Sequence, residues 1–524
     1  MAGRRLVTLP PPMLMLMLAA AFLAAGAAGS KPSAKFELIH RDEAPWDEVA
    51  RMDQERTAFI CSHARRRATE AGDAKHKAKA KAKGAPAADE AFAMPLSSGA
   101  YTGTGQYFVR FRVGTPARPF LLVADTGSDL TWVKCHRHDH DAPAPGYGYA
   151  APASNDSSTS SLSAAAAAAS SSSSSSHARV FRPDRSRTWA PIPCSSDTCT
   201  ASLPFSLAAC PTPGSPCAYD YRYKDGSAAR GTVGTDSATI ALSGRGAKKK
   251  QRQAKLRGVV LGCTTSYTGD SFLASDGVLS LGYSNISFAS RAAARFGGRF
   301  SYCLVDHLAP RNATSYLTFG PNPAVSSSPP SKTACAGGGS PAAAPPGPGG
   351  ARQTPLLLDH RMRPFYAVTV NGISVDGELL RIPRLVWDVA KGGGAILDSG
   401  TSLTVLVSPA YRAVVAALNK KLAGLPRVTM DPFDYCYNWT SPSTGEDLTV
   451  AMPELAVHFA GSARLQPPAK SYVIDAAPGV KCIGLQEGEW PGVSVIGNIL
   501  QQEHLWEFDL KNRRLRFKRS RCTQ

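Results

Sequence analysis

The chain has 524 residues, of which 43% are hydrophobic, and this combination excludes a wholly disordered protein. Lysine and arginine number 59 against 40 acidic residues, so the formal net charge is +19, which favours acidic partners such as nucleic acid, anionic lipid or cell-wall polyanion. The 12 cysteines are too few for a disulfide miniprotein and many for a reduced cytosolic enzyme.

The N-terminus has the features of a secretory signal peptide over residues 1–29. Arg4 and Arg5 precede an apolar run over residues 13–25, and small residues follow. The run is shorter than the roughly 20 residues that span a bilayer as a helix, so we expect no stable membrane insertion. We therefore expect secretion to the apoplast or delivery to the vacuole. A chloroplast transit peptide is the alternative, because the segment is poor in acidic residues.

Residues 30–98 form a polar stretch that cannot build a core. Lys77, Lys79, Lys81 and Lys83 alternate with alanine, and such a segment stays solvated and accessible to proteases. We interpret the stretch as a removable prosegment, with a nucleic-acid tether as the alternative.

The globular sequence begins with the pattern of a β-hairpin. Residues 107–113 alternate apolar and polar side chains as a half-buried strand does, and residues 119–124 form a second strand-like run. Gly114 and Pro116 between them are typical turn residues, so the two runs are predicted to pair.

Low-complexity segments divide the rest of the chain. Residues 136–178, rich in alanine, serine and proline, and residues 244–257, rich in lysine and arginine, are predicted to be surface inserts. Residues 321–352, rich in proline, glycine, alanine and serine, have the composition of a linker. The chain is thereby predicted to contain an N-terminal lobe over residues 99–320 and a C-terminal lobe over residues 353–524.

The remaining sequence consists mainly of short strands separated by Gly, Pro, Asn and Asp. The clearest strand patterns cover residues 231–242, 256–262, 316–319, 365–375, 395–398, 493–496 and 515–517. Helical periodicity is clear over residues 287–296 and 409–421. These patterns predict an all-β protein with a few helices, arranged in two lobes.

A short acidic motif occurs once in each predicted lobe. The sequence VADTGS at residues 123–128 is echoed by ILDSGT at residues 396–401, and each copy has an apolar strand end, Asp, a hydroxyl residue, Gly and a second hydroxyl residue. One such turn is a weak signal, because aspartate satisfies its own backbone in many turns. Two copies in register are far more specific.

The two motifs predict a pair of carboxylates. A strand that carries Asp into a tight Gly turn presents the carboxylate at the edge of a lobe. If the lobes are related by duplication, Asp125 and Asp398 meet across a cleft and hold one proton between them under acidic conditions. The ionised carboxylate can then take a proton from water while the protonated one polarises a carbonyl.

With these motifs, residues 101–522 resemble the pepsin-like aspartic endopeptidases, and among them the plant nepenthesin-like branch. The resemblance implies an all-β, bilobal pepsin-like fold with a few short helices and a cleft between the lobes. It implies that Asp125 and Asp398 are catalytic. The residues that it implies as supports for the two carboxylates are Thr126, Gly127, Ser128, Ser399, Gly400 and Thr401.

Residues 221–227 resemble the β-hairpin flap of this family. The resemblance implies that Tyr223 closes over substrate, with Asp225 and Gly226 beside it, and that Trp132 hydrogen-bonds the flap tyrosine. Two apolar segments, residues 276–282 and 495–498, resemble the ψ-loop segments that support the catalytic aspartates.

The chain departs from the family pattern at three places. Lys224 stands where the flap usually has Gly, and Ser280 replaces a usual Gly in the first ψ-loop segment. The second cysteine that normally follows Cys135 is absent, and residues 136–141 contain three histidines instead. We interpret His136 and its neighbours as a solvated turn rather than a metal site. None of these departures removes a catalytic group.

The cysteines are predicted to form disulfides rather than a metal site, because metal binding needs tighter ligand spacing and a reducing compartment. The cluster in the N-terminal lobe consists of Cys194, Cys199, Cys210 and Cys217. The resemblance implies a pair between Cys436 and Cys482, and Cys303 and Cys522 could tie the lobes together, although sequence does not assign connectivity. If Cys61 leaves with the prosegment, one odd thiol remains, and Cys335 is the candidate.

Two further surface features follow from the sequence. N-glycosylation sequons begin at Asn155, Asn285, Asn312 and Asn438, and they matter only if the chain is secreted. The C-terminal residues 511–521 alternate basic and apolar side chains, which predicts an edge strand with a solvated basic face. The alternative is a surface for non-specific binding of nucleic acid or another polyanion.

The sequence as a whole indicates a monomeric aspartic endopeptidase that is made as a zymogen. The expected substrate is a protein or peptide, the pH optimum is acidic, pepstatin-like compounds inhibit the enzyme, and no cofactor or metal is needed. Two alternatives stay open: a catalytically silent, inhibitor-like binding protein on the same fold, and a DNA-associated plastid protease.

Overall fold

The computed structural model describes residues 92–98, 105–135, 179–203, 210, 212–223, 227–241, 253–269, 272–310, 313, 315–322, 325, 350–440 and 452–523. The predicted signal peptide, the insert at 136–178, the sequons at Asn155 and Asn312, and Cys61 and Cys335 lie outside these residues. In the described part of the chain, no helix is long and apolar enough to span a membrane.

Strands dominate both halves of the described chain, as predicted. The strands of the N-terminal half are β1 (Phe92–Ser98), β2 (Tyr107–Val113), β3 (Arg118–Asp125), β4 (Trp132–Lys134), β5 (Ala190–Pro191), β6 (Ala218–Arg222), β7 (Ala228–Ala241), β8 (Gln253–Thr268), β9 (Gly277–Ser280), β10 (Arg299–Cys303) and β11 (Ser315–Phe319). Those of the C-terminal half are β12 (Arg352–Leu357), β13 (Tyr366–Val368), β14 (Val370–Val375), β15 (Glu378–Leu379), β16 (Ala395–Leu397), β17 (Thr404–Val407), β18 (Arg427–Met430), β19 (Phe433–Asn438), β20 (Leu455–Phe459), β21 (Arg464–Leu465), β22 (Val473–Ala477), β23 (Val480–Ile483), β24 (Leu485–Gly488), β25 (Ser494–Ile496), β26 (His504–Asp509) and β27 (Arg514–Arg519).

The described α-helices are α1 (Phe288–Arg295), α2 (Ser408–Leu422) and α3 (Asn498–Gln501). Ser287 caps α1 by accepting a hydrogen bond from the backbone N–H of Ser290, which confirms the predicted start of that helix. In α2 the buried face includes Val414, Val415 and Leu418, the apolar positions that predicted it. The all-β fold in two lobes with a few short helices is thereby confirmed.

Both lobes contain the same strand arrangement around their acidic motif. In the N-terminal lobe β3 runs parallel to β9, and β4 pairs with β8 and β9. In the C-terminal lobe β16 runs parallel to β25, and β17 pairs with β24 and β25. The predicted hairpin of β2 and β3 also forms, with Phe108 opposite Val123. Each acidic motif therefore follows a strand that is held from both sides.

A sheet shared by the two halves joins the lobes. Its strands pair in the order β1, β11, β10, β26, β27 and β12. At the junction of β10 and β26, Phe300 stacks on Phe508 with ring centroids 4.7 Å apart. Strand β1 lies in this sheet with Met94 and Leu96 buried, although the sequence assigned its residues to the prosegment.

Two local predictions are corrected by this pairing. The strand at residues 511–521 is not an edge strand, because β27 has β26 on one side and β12 on the other. Lys255 and Arg257, predicted to lie in an insert, belong to β8, because that strand pairs with β7 while Ala254 and Leu256 point into the core.

Five disulfides link ten of the cysteines. The pairs are Cys135–Cys263, Cys194–Cys210, Cys199–Cys217, Cys303–Cys522 and Cys436–Cys482. The last two confirm the predicted pairs, and the N-terminal-lobe cluster is oxidised as expected. The partner of Cys135 was not predicted: it is Cys263, because β4 and β8 run side by side.

Buried charges lie in the shared sheet. The carboxylates of Glu507 and Asp509 on β26 are paired with Arg299 on β10 and Arg516 on β27. Burial raises the pKa of Glu507, and the two arginines oppose this shift only in part. Because its folded-state pKa lies above the unfolded value, the folded protein gains stability as pH falls through that interval and loses it as pH rises.

The variant Glu507→Gln tests this linkage. As the pH rises from about 4 to about 7, the free energy of unfolding should fall more for the wild-type protein than for the variant. The reason is that only the wild type must ionise a buried carboxyl group. Urea unfolding at a series of pH values measures the free energy of unfolding of both proteins. Glu487→Gln is the control, since Glu487 forms a more exposed pair with Arg412. Parallel pH profiles for wild type and Glu507→Gln would contradict the expected role of burial.

Candidate active site

The two motif aspartates occupy equivalent turns at the ends of equivalent strands. Asp125 ends β3 and is 1% exposed, and Asp398 follows β16 and is fully buried. The backbone N–H of Gly127 donates to Oδ1 of Asp125 at 2.8 Å, and that of Gly400 donates to Oδ1 of Asp398 at 2.9 Å. Each turn thus holds its own carboxylate by a backbone donor.

Reciprocal hydrogen bonds connect the two turns across the lobes. The backbone N–H of Thr126 donates to Oγ of Ser399 at 3.0 Å, and the backbone N–H of Ser399 donates to Oγ1 of Thr126 at 2.9 Å. The same hydroxyls donate onward, Ser399 to the carbonyl of Ala124 at 2.8 Å and Thr126 to that of Leu397 at 3.4 Å. We call these four bonds the interlobe grip. Because the grip joins the residues next to Asp125 and Asp398, it brings the two turns together.

The second hydroxyl of each motif behaves differently in the two lobes. Thr401 Oγ1 donates to Oδ2 of Asp398 at 2.7 Å. Ser128 Oγ is buried and has no hydrogen-bond partner among the described residues. A buried hydroxyl without a partner is costly, so the two motif hydroxyls differ in how far their hydrogen-bonding needs are met.

The two ψ-loop segments support the aspartates, as the resemblance implied. Ser280 lies beside Asp125 in the pairing of β3 with β9, and its Oγ lies 2.7 Å from Oγ1 of Thr131 and accepts from the backbone N–H of Phe288 at 3.1 Å. At Gly497 in the other lobe, an added Cβ would lie 2.4 Å from the carbonyl oxygen of Leu403. The first segment therefore accommodates a side chain that the second excludes.

Tyr223, the predicted flap tyrosine, is anchored on the N-terminal lobe. Nε1 of Trp132 donates to the hydroxyl of Tyr223 at 2.6 Å, which confirms the predicted hydrogen bond. The Tyr223 ring also contacts Phe272, with centroids 5.0 Å apart. Asp225, Gly226 and the unusual Lys224 lie outside the described residues.

A buried acid next to the first motif was not among the predicted site residues. Asp129 is 2% exposed, and the hydroxyl of Tyr221 on the flap strand donates to its Oδ1 at 3.1 Å. Burial and then the charges of Asp129, Tyr223 and Asp125 raise the pKa of Tyr221 well above its usual value. The signal in the sequence was Asp129 itself, a second acid four residues after Asp125.

A second missed group lies beneath Asp398. The hydroxyl of Tyr302 on β10 donates to Oε1 of Gln501, and Nε2 of Gln501 donates to the carbonyl of Asp398 at 3.4 Å. Burial and then the charge of Asp398 raise the pKa of Tyr302 well above its usual value. No local pattern could have revealed this contact, because Tyr302 belongs to the other half of the chain.

One cysteine group has a metal-like arrangement. The sulfur atoms of Cys194, Cys199 and Cys210 lie within 4.8 Å of one another. All three are in disulfides, so none supplies the thiolate that a metal ion requires. His136 and the other histidines of the predicted solvated turn lie outside the described residues.

Comparison with known proteins gives consistent matches over both lobes. Residues 107–321 match the family model "Xylanase inhibitor N-terminal", and residues 365–519 match "Xylanase inhibitor C-terminal". Aspartyl protease family protein 2 of Arabidopsis thaliana is 33% identical over 439 residues, which cover 82% of this chain and 74% of the relative. Aspartic proteinase nepenthesin-2 of Nepenthes gracilis is 26% identical over 424 residues, which cover 80% of this chain and 79% of the relative.

Solved structures share the fold at low identity. Conglutin gamma, a basic 7S globulin from lupine seeds, is 19% identical with a TM-score of 0.54, covering 82% of this chain and 95% of that one. The structure named edgp is 19% identical with a TM-score of 0.57, and the match covers 84% of this chain and 98% of that one. The first of these names describes a globulin and not a protease, so the fold by itself does not establish proteolysis.

A double-mutant cycle tests the interlobe grip. Thr126→Val and Ser399→Ala should each lower the free energy of unfolding by about 1–3 kcal/mol, because each leaves buried backbone groups without a partner. The double variant should lose at least about 0.5 kcal/mol less than the sum, because both changes break the same bonds. Urea unfolding measures all four proteins.

Ser408→Ala is the matched control for that cycle. Its hydroxyl donates to the carbonyl of Gly488 within the C-terminal lobe and shares no hydrogen bond with the grip. When Ser408→Ala is combined with Thr126→Val, the two losses in free energy of unfolding should add. Additive effects of Thr126→Val and Ser399→Ala on the free energy of unfolding would contradict the coupling of these two residues through the interlobe grip.

Proposed function

The chain belongs to the plant pepsin-like aspartic protease family, and from this premise we propose that it is an aspartic endopeptidase whose catalytic pair is Asp125 and Asp398. The observation that carries the proposal is the interlobe grip, in which Thr126 and Ser399 join the two aspartate turns. Both aspartates are present, both are buried, and each accepts a backbone hydrogen bond.

The proposed reaction needs one water molecule and the two carboxyl groups. Two neighbouring carboxylates do not ionise together readily, so at acidic pH the pair holds one proton. The ionised carboxylate takes a proton from the water, whose oxygen attacks the scissile carbonyl carbon, while the protonated carboxyl gives its proton to the carbonyl oxygen. Collapse of the tetrahedral intermediate breaks the C–N bond, and the leaving nitrogen receives a proton from the pair. No covalent enzyme intermediate forms.

Supporting residues fit this chemistry. Thr401 donates to Asp398, and Ser128 has a hydroxyl available to the incoming water or substrate. Tyr223, held by Trp132, closes the site against solvent and contacts the substrate backbone. We include Asp225 and Gly226 in the flap that covers the substrate, which we expect to be a protein or peptide.

We also propose that the protein is a secreted or vacuolar zymogen. The disulfides fit an oxidising compartment, and the sequence before residue 92 has the composition of a signal peptide and prosegment. Because Met94 and Leu96 are buried in the shared sheet, we place the processing site before Phe92, earlier than residue 98. Asn285 is exposed and is the stronger glycosylation candidate of the two described sequons, since Asn438 is half-buried in β19.

A second candidate function is a silent binding protein on this fold. The family models are named for xylanase inhibitors and a structural neighbour for a globulin, which favours this candidate. The intact aspartate turns favour the protease. A polyanion-binding role has less support at the C-terminal strand than its sequence suggested, because Arg516 is paired with Glu507 and Asp509.

The acid-treated, purified protein should hydrolyse peptides with an acidic optimum, and pepstatin should block the reaction. Asp125→Asn and Asp398→Asn should each lower kcat by about a thousandfold or more, because neither variant has a carboxyl pair to activate water. Hydrolysis of a fluorogenic peptide at a series of pH values, with and without pepstatin, measures kcat and the pH optimum. Asp475→Asn, at an exposed ion pair with Lys481, should keep wild-type kcat.

Either of two outcomes would contradict the proposal that the protein is an aspartic endopeptidase. One is substantial turnover by a purified, folded Asp125→Asn or Asp398→Asn variant. The other is no hydrolysis by wild type after verified removal of the prosegment, which would favour the silent binding protein.

The N-terminus of the active protein tests the processing site. We expect mass spectrometry of the acid-activated protein to find a first residue before Phe92, because removal of β1 would expose Leu317 and Phe319 of the neighbouring strand. Leu96→Asp should lower the melting temperature of the activated form if β1 is retained. An active protein that begins after Ser98, or an unchanged melting temperature, would contradict retention of β1.

A further inference from the structure

His307 is a buried imidazole that the proposed reaction does not use. It lies in the turn after β10 and is 6% exposed. Its ring stacks on Tyr107, with centroids 4.8 Å apart and planes inclined by 23°. Its Nε2 lies 3.2 Å from Oδ1 of Asn498, a residue of the C-terminal lobe. The imidazole therefore makes a polar contact between the lobes.

The hydrogen bonds of Asn498 assign the proton on this imidazole. Nδ2 of Asn498 donates to the carbonyls of Gly105 at 2.7 Å and Ser399 at 3.0 Å. An amide nitrogen has two hydrogens, and both are used by these bonds. The oxygen that faces His307 can only accept, so Nε2 of His307 carries a hydrogen and donates it to Asn498.

Asn498 in turn holds the loop of the second aspartate. Besides the carbonyl of Ser399, it binds the carbonyl of Thr401 through its own backbone N–H at 2.7 Å. Between these two carbonyls lie the donors that fix Asp398, namely the Gly400 N–H and the Thr401 hydroxyl. A change in the orientation of Asn498 would therefore move both donors.

We propose that His307 is a positioning residue for Asp398: the neutral imidazole orients the Asn498 amide, and the amide fixes the loop that holds the carboxylate. This inference rests on the proposed function and adds a residue from outside the family motifs. It also assigns His307 a role in the acid limit of activity, because burial disfavours the charged ring.

The surroundings of His307 favour its neutral form. Burial lowers the pKa of His307 from its usual 6.5 to about 4, and the hydrogen bonds with Asn498 and Gly105 and the charge of Asp306 oppose this in part. Asp306 is itself paired with Lys470. Two further titratable groups of the described chain act near this turn, namely the Tyr107 hydroxyl, which donates to the carbonyl of Val305, and Glu503, whose charge acts on Tyr107.

The sign of the pH dependence follows from the lowered pKa. Conformations that expose His307 bind a proton below about pH 6.5, whereas the closed form does not bind one until about pH 4. Acidification through this interval progressively favours opening of the turn. When the turn opens, Asn498 loses its donor and the Asp398 loop loses its support, so kcat falls on the acid side.

Two variants separate position from titration. His307→Gln supplies an amide N–H for Asn498 but cannot titrate, and His307→Leu removes the donor and keeps a bulky side chain. We expect His307→Leu to lower kcat by about tenfold or more with KM within about twofold, because misplacement of a reacting group acts on the transition state. We expect His307→Gln to keep kcat within about threefold and to extend activity by about half a pH unit or more toward acid.

His504→Gln is the matched control. His504 is also buried, its pKa is also lowered by burial, and it lies on the shared sheet with Nδ1 2.9 Å from the carbonyl of Gln502. No described hydrogen bond connects it to Asn498. It should therefore change stability in acid without moving the acid limb of kcat.

Hydrolysis of one peptide from pH 2 to pH 7 decides the inference, with thermal unfolding at pH 6.5 to verify that each variant is folded. An acid limb that is the same in His307→Gln and wild type, or that moves equally in His504→Gln, overturns the role of His307. If His307→Leu does not fold, His307→Gln decides alone. A wild type without pepstatin-sensitive hydrolysis overturns the proposed function and this inference together, whereas an active wild type with an unmoved His307→Gln profile overturns only the inference.

Discussion

The reciprocal hydrogen bonds between Thr126 and Ser399 are the constraint on which the rest of the site depends. Each hydroxyl accepts a backbone N–H from the opposite lobe and donates to a carbonyl there. A buried N–H without a partner is costly, so neither turn can take its position alone. The shared sheet and the Cys303–Cys522 disulfide hold the lobes in the register that this pairing requires. The positions of the two aspartate turns therefore depend on the contacts that join the lobes.

The two aspartate turns lie in equivalent strand arrangements, but their surroundings differ in detail. Thr401 donates to its aspartate, while Ser128 has no partner among the described residues. Ser280 fills a place in one ψ-loop segment that the backbone around Gly497 closes in the other. Since related folds include proteins named as globulins, such details of the site and not the architecture carry the case for proteolysis.

Acid acts on this molecule in two opposite directions. Protonation of Glu507 in the shared sheet stabilises the folded protein, because its pKa is raised by burial. Protonation of His307 favours opening of a turn next to the Asp398 loop, because its pKa is lowered to about 4 by burial. The scaffold thus gains stability in acid at Glu507, whereas the proposed support of the Asp398 loop is weakened by acid at His307.

The sequence by itself determined the fold class, the hairpin of β2 and β3, two helices, the two aspartate turns and the Trp132–Tyr223 contact, because these depend on local periodicity, turn chemistry or a recognisable motif. Only the tertiary structure decided the partner of Cys135, the interior position of β27, the place of β1 in the shared sheet and the contacts of His307 with Asn498. These join residues that lie far apart along the chain. Burial and strand pairing brought them together, and local periodicity does not specify which distant segments pair.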